Sequence, residues 1–119
     1  MLGYLHDIGN CVNRTDHAHS GAIIAYNILK DMGMPVDERT EIMMAIGNHD
    51  ENTGTAVSDI SAALILADKS DVHRDRVTNT NLSTFDIHDR VNYAVTDAKL
   101  KIDKETRKII LNLKIDTKL

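Results

Sequence analysis

Large aromatic side chains are scarce in this chain: tryptophan is absent, and Tyr4, Tyr26, Tyr93 and Phe85 are the only aromatic residues. Its core must therefore be built from Ile, Leu, Val, Ala and Met, which favours packed helices. Cys11 is the single cysteine, so no internal disulfide framework exists. No apolar run is long enough to span a bilayer, and no secretory signal pattern opens the sequence. These absences predict a cytoplasmic protein with no membrane partner. The 119 residues suffice for one modest core.

Charge is unevenly spread. Residues 1–97 hold 7 Lys and Arg against 15 Asp and Glu, whereas residues 98–119 hold 7 against 3. An acidic body argues against a broad nucleic-acid surface, because phosphate contacts need clustered Lys and Arg. It suits a site rich in metal-binding carboxylates. The basic tail alternates with apolar residues and reads as the solvated face of a hairpin.

Residues 1–9 read as the last turns of a helix. A second helix begins at or just after Asp16, with Ala22, Ile23, Tyr26, Ile28 and Leu29 at helical spacing, and Gly33 and Pro35 end it. Asp37 is the expected N-cap of a third helix, whose stripe Ile42, Met43, Ala45 and Ile46 runs out near His49. The polar stretch 50–55 is a loop. Ser58 caps a fourth helix through Lys69 that is apolar nearly all round, so it is expected to be the most buried. Residues 71–84 read as irregular or briefly helical. Residues 86–95 form an amphipathic helix, with Ile87, Val91, Tyr93, Ala94 and Val95 facing inward. Ala98, Leu100 and Ile102, then Ile109 to Ile115, alternate on either side of a polar turn and predict a β-hairpin. The expected organisation is a helical domain over 1–95 and a hairpin extension over 96–119.

The most informative tripeptide is Leu5-His6-Asp7. Neighbours on a helix point about 100° apart, so an adjacent His and Asp meet one target only where regular geometry ends. Their nitrogen and oxygen donors suit Mn, Fe, Ni, Zn or Mg. His17, His49 and Asp68 stand in or beside comparable apolar stretches. A carboxylate at the end of a nearly all-apolar helix needs a partner, and a metal ion is one.

This set, His6-Asp7, His17, His49 and Asp68, resembles the HD-domain metal-dependent phosphohydrolases. Leu5-His6-Asp7-Ile8-Gly9 is similar to that family's apolar-His-Asp-Ile-Gly signature, with Asn10 where Lys is frequent. His17-Ala18-His19-Ser20-Gly21-Ala22 is similar to its His, three residues, Gly, small residue. Ile46-Gly47-Asn48-His49-Asp50-Glu51 looks like the segment supplying a further His, and Leu64 to Asp71 like the one ending in the last metal Asp. The likeness covers roughly residues 1–77 and leaves out the hairpin. One departure stands out. The family's first metal His lies upstream of the pair, and here only five residues precede His6, none of them His. That ligand is then replaced, supplied by a second chain, or missing from a shortened domain. A missing helix would expose apolar surface and favour a homodimer.

The resemblance implies a mainly α fold, an HD-domain-like helical bundle, here with a C-terminal β-hairpin. It implies hydrolysis of a phosphomonoester or phosphodiester, on a small substrate of nucleotide type, by water activated by one or two divalent ions. His6, Asp7, His17, His49 and Asp68 would be the metal ligands. Asp7 and Lys69 would be catalytic, and Lys69 and Arg74 would meet the phosphate. The alternative function is a non-catalytic HD module that binds a nucleotide or a protein.

Blander readings stand beside these. A lone histidine on an amphipathic helix, as His17 and His49 are, is more often a hydrogen-bonded core or rim residue than a ligand. Asp68 could pair with Lys69 or Arg74, and Arg74 and Arg76 could be ordinary surface charge. Asp50 and Glu51 either orient His49 or belong to the loop. His19, His73 and His88 are expected outside the site, and Cys11 has no catalytic partner.

Overall fold

The computed structural model describes residues 1–118. About half of it is helical, with a two-stranded antiparallel sheet at the C-terminal end. The chain divides into two compact units, Met1–Asp68 and Lys69–Leu119.

The first unit contains α1 (Leu2–Leu5), a 3-10 turn (Ile8–Cys11), α2 (His17–Asp31), α3 (Val36–Gly47) and all but the end of α4 (Asp59–Ser70). Helix α2 is its centre. Ala18, Ala22, Ala25 and Leu29 are buried along it at intervals of four, three and four residues, which keeps them on one face. Three of these four are alanines, so neighbouring backbone can approach closely: a Cβ added to Gly47 of α3 would touch that of Ala22 at 3.5 Å. Leu5, Ala22, Ala25, Leu29 and Ile46 form the core, with Leu2, Ile8, Met34, Ile42 and Met43 packed on it.

Helix ends follow local chemistry. Gly33 adopts φ +82°, the left-handed conformation expected after α2. Helix α3 starts earlier than Asp37: Pro35 is its N-cap at φ -54° and Val36 its first residue. Proline's fixed φ and missing N–H suit a position where no intrahelical donor is needed. Asp37 and Glu38 then lie in the first turn, where carboxylates complement the exposed amides. Ser58 Oγ accepts the Ser61 amide at 3.1 Å and caps α4 as expected.

Helix α4 departs from expectation. Only Ser61 and Leu64 are buried on it, and Ile60, Ala62, Ala63 and Ala67 are exposed. Uniform apolarity does not fix which helix becomes central. The regularly spaced alanines of α2 admit closer packing and take that place.

One contact between α2 and the preceding turn positions the candidate site. A Cβ on Gly9 would overlap the His17 carbonyl oxygen and approach the Gly21 amide at 2.6 Å. Only glycine permits this approach, which brings the His6-Asp7 segment against the start of α2.

The second unit contains 3-10 turns at Arg74–Arg76 and Leu82–Thr84, then α5 (Ile87–Ala94), β1 (Val95–Asp103) and β2 (Lys108–Ile115). Asp86 caps α5 by accepting the Asp89 amide at 2.8 Å. Ile87 and Val91 are exposed rather than inward, whereas Tyr93 and Ala94 are partly covered and Val95 is buried. The ring of Tyr93 meets Phe85 edge-on at 5.3 Å, which draws the C-terminal half of α5 inward and leaves its start in solvent. His73 is more than a surface residue. Its Nδ1 accepts the Asp75 amide and its Nε2 donates to the Thr96 carbonyl at 3.1 Å, tying the first turn to β1.

In the hairpin, Ala98 pairs with Leu113, Leu100 with Leu111 and Ile102 with Ile109, so these six share one face. Lys99 and Lys101 lie on the other. Arg107 takes φ +54° in the turn, and a one-residue irregularity falls between Val95 and Asp97. No helix among the described residues is long and apolar enough to cross a membrane.

Candidate metal centre

Five side chains from four segments converge. His6 ends α1, Asp7 begins the following turn, His17 opens α2, His49 lies just beyond the end of α3, and Asp68 is in the last turn of α4. His17 and His49 are buried, His6 and Asp68 largely covered, and Asp7 is 47% exposed. The His49 ring centre lies 5.2 Å from that of His6 and 5.2 Å from that of His17, with the rings nearly perpendicular in both pairs.

All three histidines are oriented in the same way. The Nδ1 of His6 lies 2.6 Å from the Gly3 carbonyl, that of His17 3.2 Å from Arg14, and that of His49 2.6 Å from Ile46. A carbonyl only accepts, so each Nδ1 bears the proton and donates. In a neutral ring this leaves Nε2 as a lone pair. Backbone carbonyls acting on the far ring nitrogen are the usual support of a metal-binding imidazole. Each of these bonds reaches back three residues, from a histidine just beyond a helix C-terminus at His6 and His49 and from the first residue of α2 at His17.

The Nε2 atoms face carboxylates. His6 Nε2 is 3.3 Å from Asp7 Oδ2 and 3.5 Å from Asp68 Oδ1. His17 and His49 Nε2 are 3.4 and 3.5 Å from Asp7 Oδ1. His6 Nε2 is buried with no hydrogen-bond partner. Lone pairs turned on anionic oxygens in a covered space repel unless positive charge lies among them. A divalent cation meets that requirement, and the donor set of three imidazoles and two carboxylates fits one.

Two groups of donors could each hold an ion: His6, His49 and Asp68, and Asp7, His17 and His49. They share His49, but its Nε2 has a single lone pair and its Nδ1 is committed to Ile46. His49 can therefore serve one ion at a time. The Asp7 carboxylate lies beside both groups, because Oδ1 faces His17 and His49 while Oδ2 faces His6.

No family model, no curated protein and no solved structure matches this chain.

The other candidates lie as follows. His19 pairs with Asp16 at 2.6 Å and joins neither group. Asp50 shapes the loop, its side chain towards Asn52 and its carbonyl accepting the Gly54 amide, while Ile46 holds His49. Glu51, His88 and Cys11 are exposed. Lys69 follows Asp68 on α4, as the first residue of the second unit. Within that unit Arg74 lies over the Tyr93 ring and 3.7 Å from Asp116, and Arg76 lies 3.7 Å from Asp71.

Proposed function

We propose that this chain is an HD-type metal-dependent phosphohydrolase acting on a small phosphate ester of nucleotide type. The observation that carries the reading is the arrangement of three Nε2 atoms, each oriented by a backbone carbonyl, around the Asp7 carboxylate with Asp68 beside it. His6, Asp7, His17, His49 and Asp68 would hold one or two divalent ions. Such an ion supplies Lewis acidity towards water and towards a phosphoryl oxygen.

The chain's own residues set the conditions for that chemistry. The carbonyls of Gly3, Arg14 and Ile46 fix the imidazole tautomer, and so present lone pairs without reorganisation. Asp7 is the most exposed of the five, so the open side of the cluster lies at its carboxylate. Two carboxylates in one site disfavour an anionic substrate until cations offset them, which makes activity depend on metal. Lys69 is the cation that the reading assigns to charge developing on phosphate.

The deciding experiment pairs elemental analysis of protein purified without chelator with phosphomonoesterase and phosphodiesterase assays in Mn, Ni, Zn and Mg. Bound metal with metal-dependent turnover, both lost in a His6→Ala, Asp7→Ala variant, is the expected result. Bound metal without turnover on any phosphate ester would leave a non-catalytic HD module that binds a nucleotide or protein. Neither metal nor turnover would sink the proposal.

A further inference from the structure

The second unit has a cavity of its own, of about 380 Å³, lined by Leu82, Phe85, Arg90, Tyr93, Ala94 and Asp116. Its volume lies in the range of small-molecule sites, roughly 300–1,000 Å³. Its walls are mostly apolar and include two aromatic rings, although the whole chain has only four. Aromatic residues give planar ligands large contact area and a preferred ring geometry.

The two charged residues at this cavity differ in their commitments. The Asp116 carboxylate is engaged twice: Oδ2 lies 3.7 Å from Arg74 Nη2, and Oδ1 accepts the Lys118 amide at 3.0 Å. Its own amide donates to Ala94 at 2.7 Å, which fixes it against the end of α5. Arg74 is in turn held over the Tyr93 ring, 4.9 Å from its centre. Arg90 makes no ion pair and no side-chain hydrogen bond among the described residues. The acids on its own helix are occupied elsewhere: Asp86 caps the helix, and Asp89 accepts from Asn79. Among the described residues, the cavity thus presents one guanidinium without an ion pair, beside two aromatic rings.

We propose that this cavity binds a planar aromatic monoanion, with its ring against Tyr93 and Phe85 and its carboxylate on Arg90. A guanidinium fork matches a carboxylate in two parallel hydrogen bonds. Asp116 and Arg74 offset each other, so among the described residues Arg90 is the one uncompensated charge at the cavity, which matches a single carboxylate. Leu82 supplies an apolar lip, exposed in the free protein. This site shares no residue with the candidate metal cluster and does not depend on the proposed hydrolysis.

The test is amide chemical-shift mapping on the full chain, titrated with 1-naphthoate and with its neutral analogue 1-naphthalenemethanol. Naphthoate should bind saturably and about ten-fold or more tighter than the alcohol, as a charge-assisted hydrogen bond implies. The largest shifts should fall at residues 90–94 and at Asp116. Arg90 is exposed, so Arg90→Gln leaves the fold intact; it should bring the ratio of the two affinities to about one. Arg90→Lys should restore part of the preference. Equal affinities in the parent chain would overturn the proposal. So would a preference that survives Arg90→Gln, or shifts confined to the apolar face of the hairpin around Leu100 and Leu111.

Discussion

His6 and Asp68 face each other across 3.5 Å, with the imidazole Nε2 turned to a carboxylate oxygen and its Nδ1 held by the Gly3 carbonyl. Two residues far apart in sequence are thereby set in a ligand-like geometry, and the His6 Nε2 turned towards Asp68 is buried with no hydrogen-bond partner. The same orientation at His17 and His49 makes it a property of the cluster.

The Asp7 carboxylate joins the two halves of this cluster, and single substitutions should separate them. The parent chain should bind about two divalent ions. His17→Ala should remove one and leave the other with His6 and Asp68. Asp68→Ala should do the reverse, and Asp7→Ala should lose both. Metal content after gel filtration measures this directly. Equal loss in all three variants would mean that a single ion uses the whole set.

The close approach of Gly9 to His17 and Gly21 gives a second prediction, on stability and site geometry together. A methyl group at position 9 must displace helix backbone rather than a flexible side chain. Overpacking of this kind costs about 1–3 kcal/mol or more. Gly9→Ala should lower the free energy of unfolding by that amount, moving the denaturation midpoint down, and reduce metal affinity, because it pushes His6 and Asp7 away from α2. Gly3→Ala is the control: nothing lies near a Cβ there, so stability should barely change. A Gly9→Ala chain as stable as the parent would show that the turn does not rest on α2.

Much of the layout is legible in the sequence, and the exceptions have physical causes. Gly33 and Ser58 announce helix ends because each satisfies a local geometric or hydrogen-bonding need. The hairpin is legible because alternation at period two survives on both sides of its turn. The start of α3 is misread by two residues because proline, without a capping side chain, takes the position that Asp37 was expected to fill. Burial is least legible. The all-apolar α4 is largely uncovered, and Ile87 and Val91 face solvent, since burial depends on what packs against an element as much as on its own residues. The candidate ligands His6, Asp7, His17, His49 and Asp68 were all visible by type and context. The Gly3, Arg14 and Ile46 carbonyls that orient the imidazoles were not, because backbone groups leave no mark in residue identity.

The hairpin turn should respond to acid. The Asp103 carboxyl is held below its ordinary value of 3.8, first by the Thr106 side chain and then by the Thr106 and Glu105 amides. A depressed carboxylate contributes stability above its unfolded pKa and loses it as pH falls through the folded one. Cross-strand contacts between Ile102 and Ile109 should therefore hold at pH 5 and above and weaken as pH drops below about 3.8, with Asp103→Asn removing that dependence. Nuclear Overhauser intensities followed from pH 6 to 2 check this. Intensities that stay flat in the parent would mean that the turn does not rely on the charged form.

The location of the core gives the last prediction. Leu29 is fully buried on α2, and Ile87 is 68% exposed on α5, although both look like inward positions in the sequence. Truncating a buried leucine costs the transfer energy of its lost methyl and methylene groups plus that of the cavity left behind, about 2–5 kcal/mol. An exposed isoleucine has little of either to lose, and substitutions at such sites stay within about 0.5 kcal/mol. Leu29→Ala should therefore unfold at markedly lower denaturant than the parent, while Ile87→Ser should follow the parent's curve. Because α2 also carries His17, the Leu29→Ala chain should lose metal in the same transition in which it unfolds. A large loss of stability in Ile87→Ser instead would mean that the start of α5 is covered in solution.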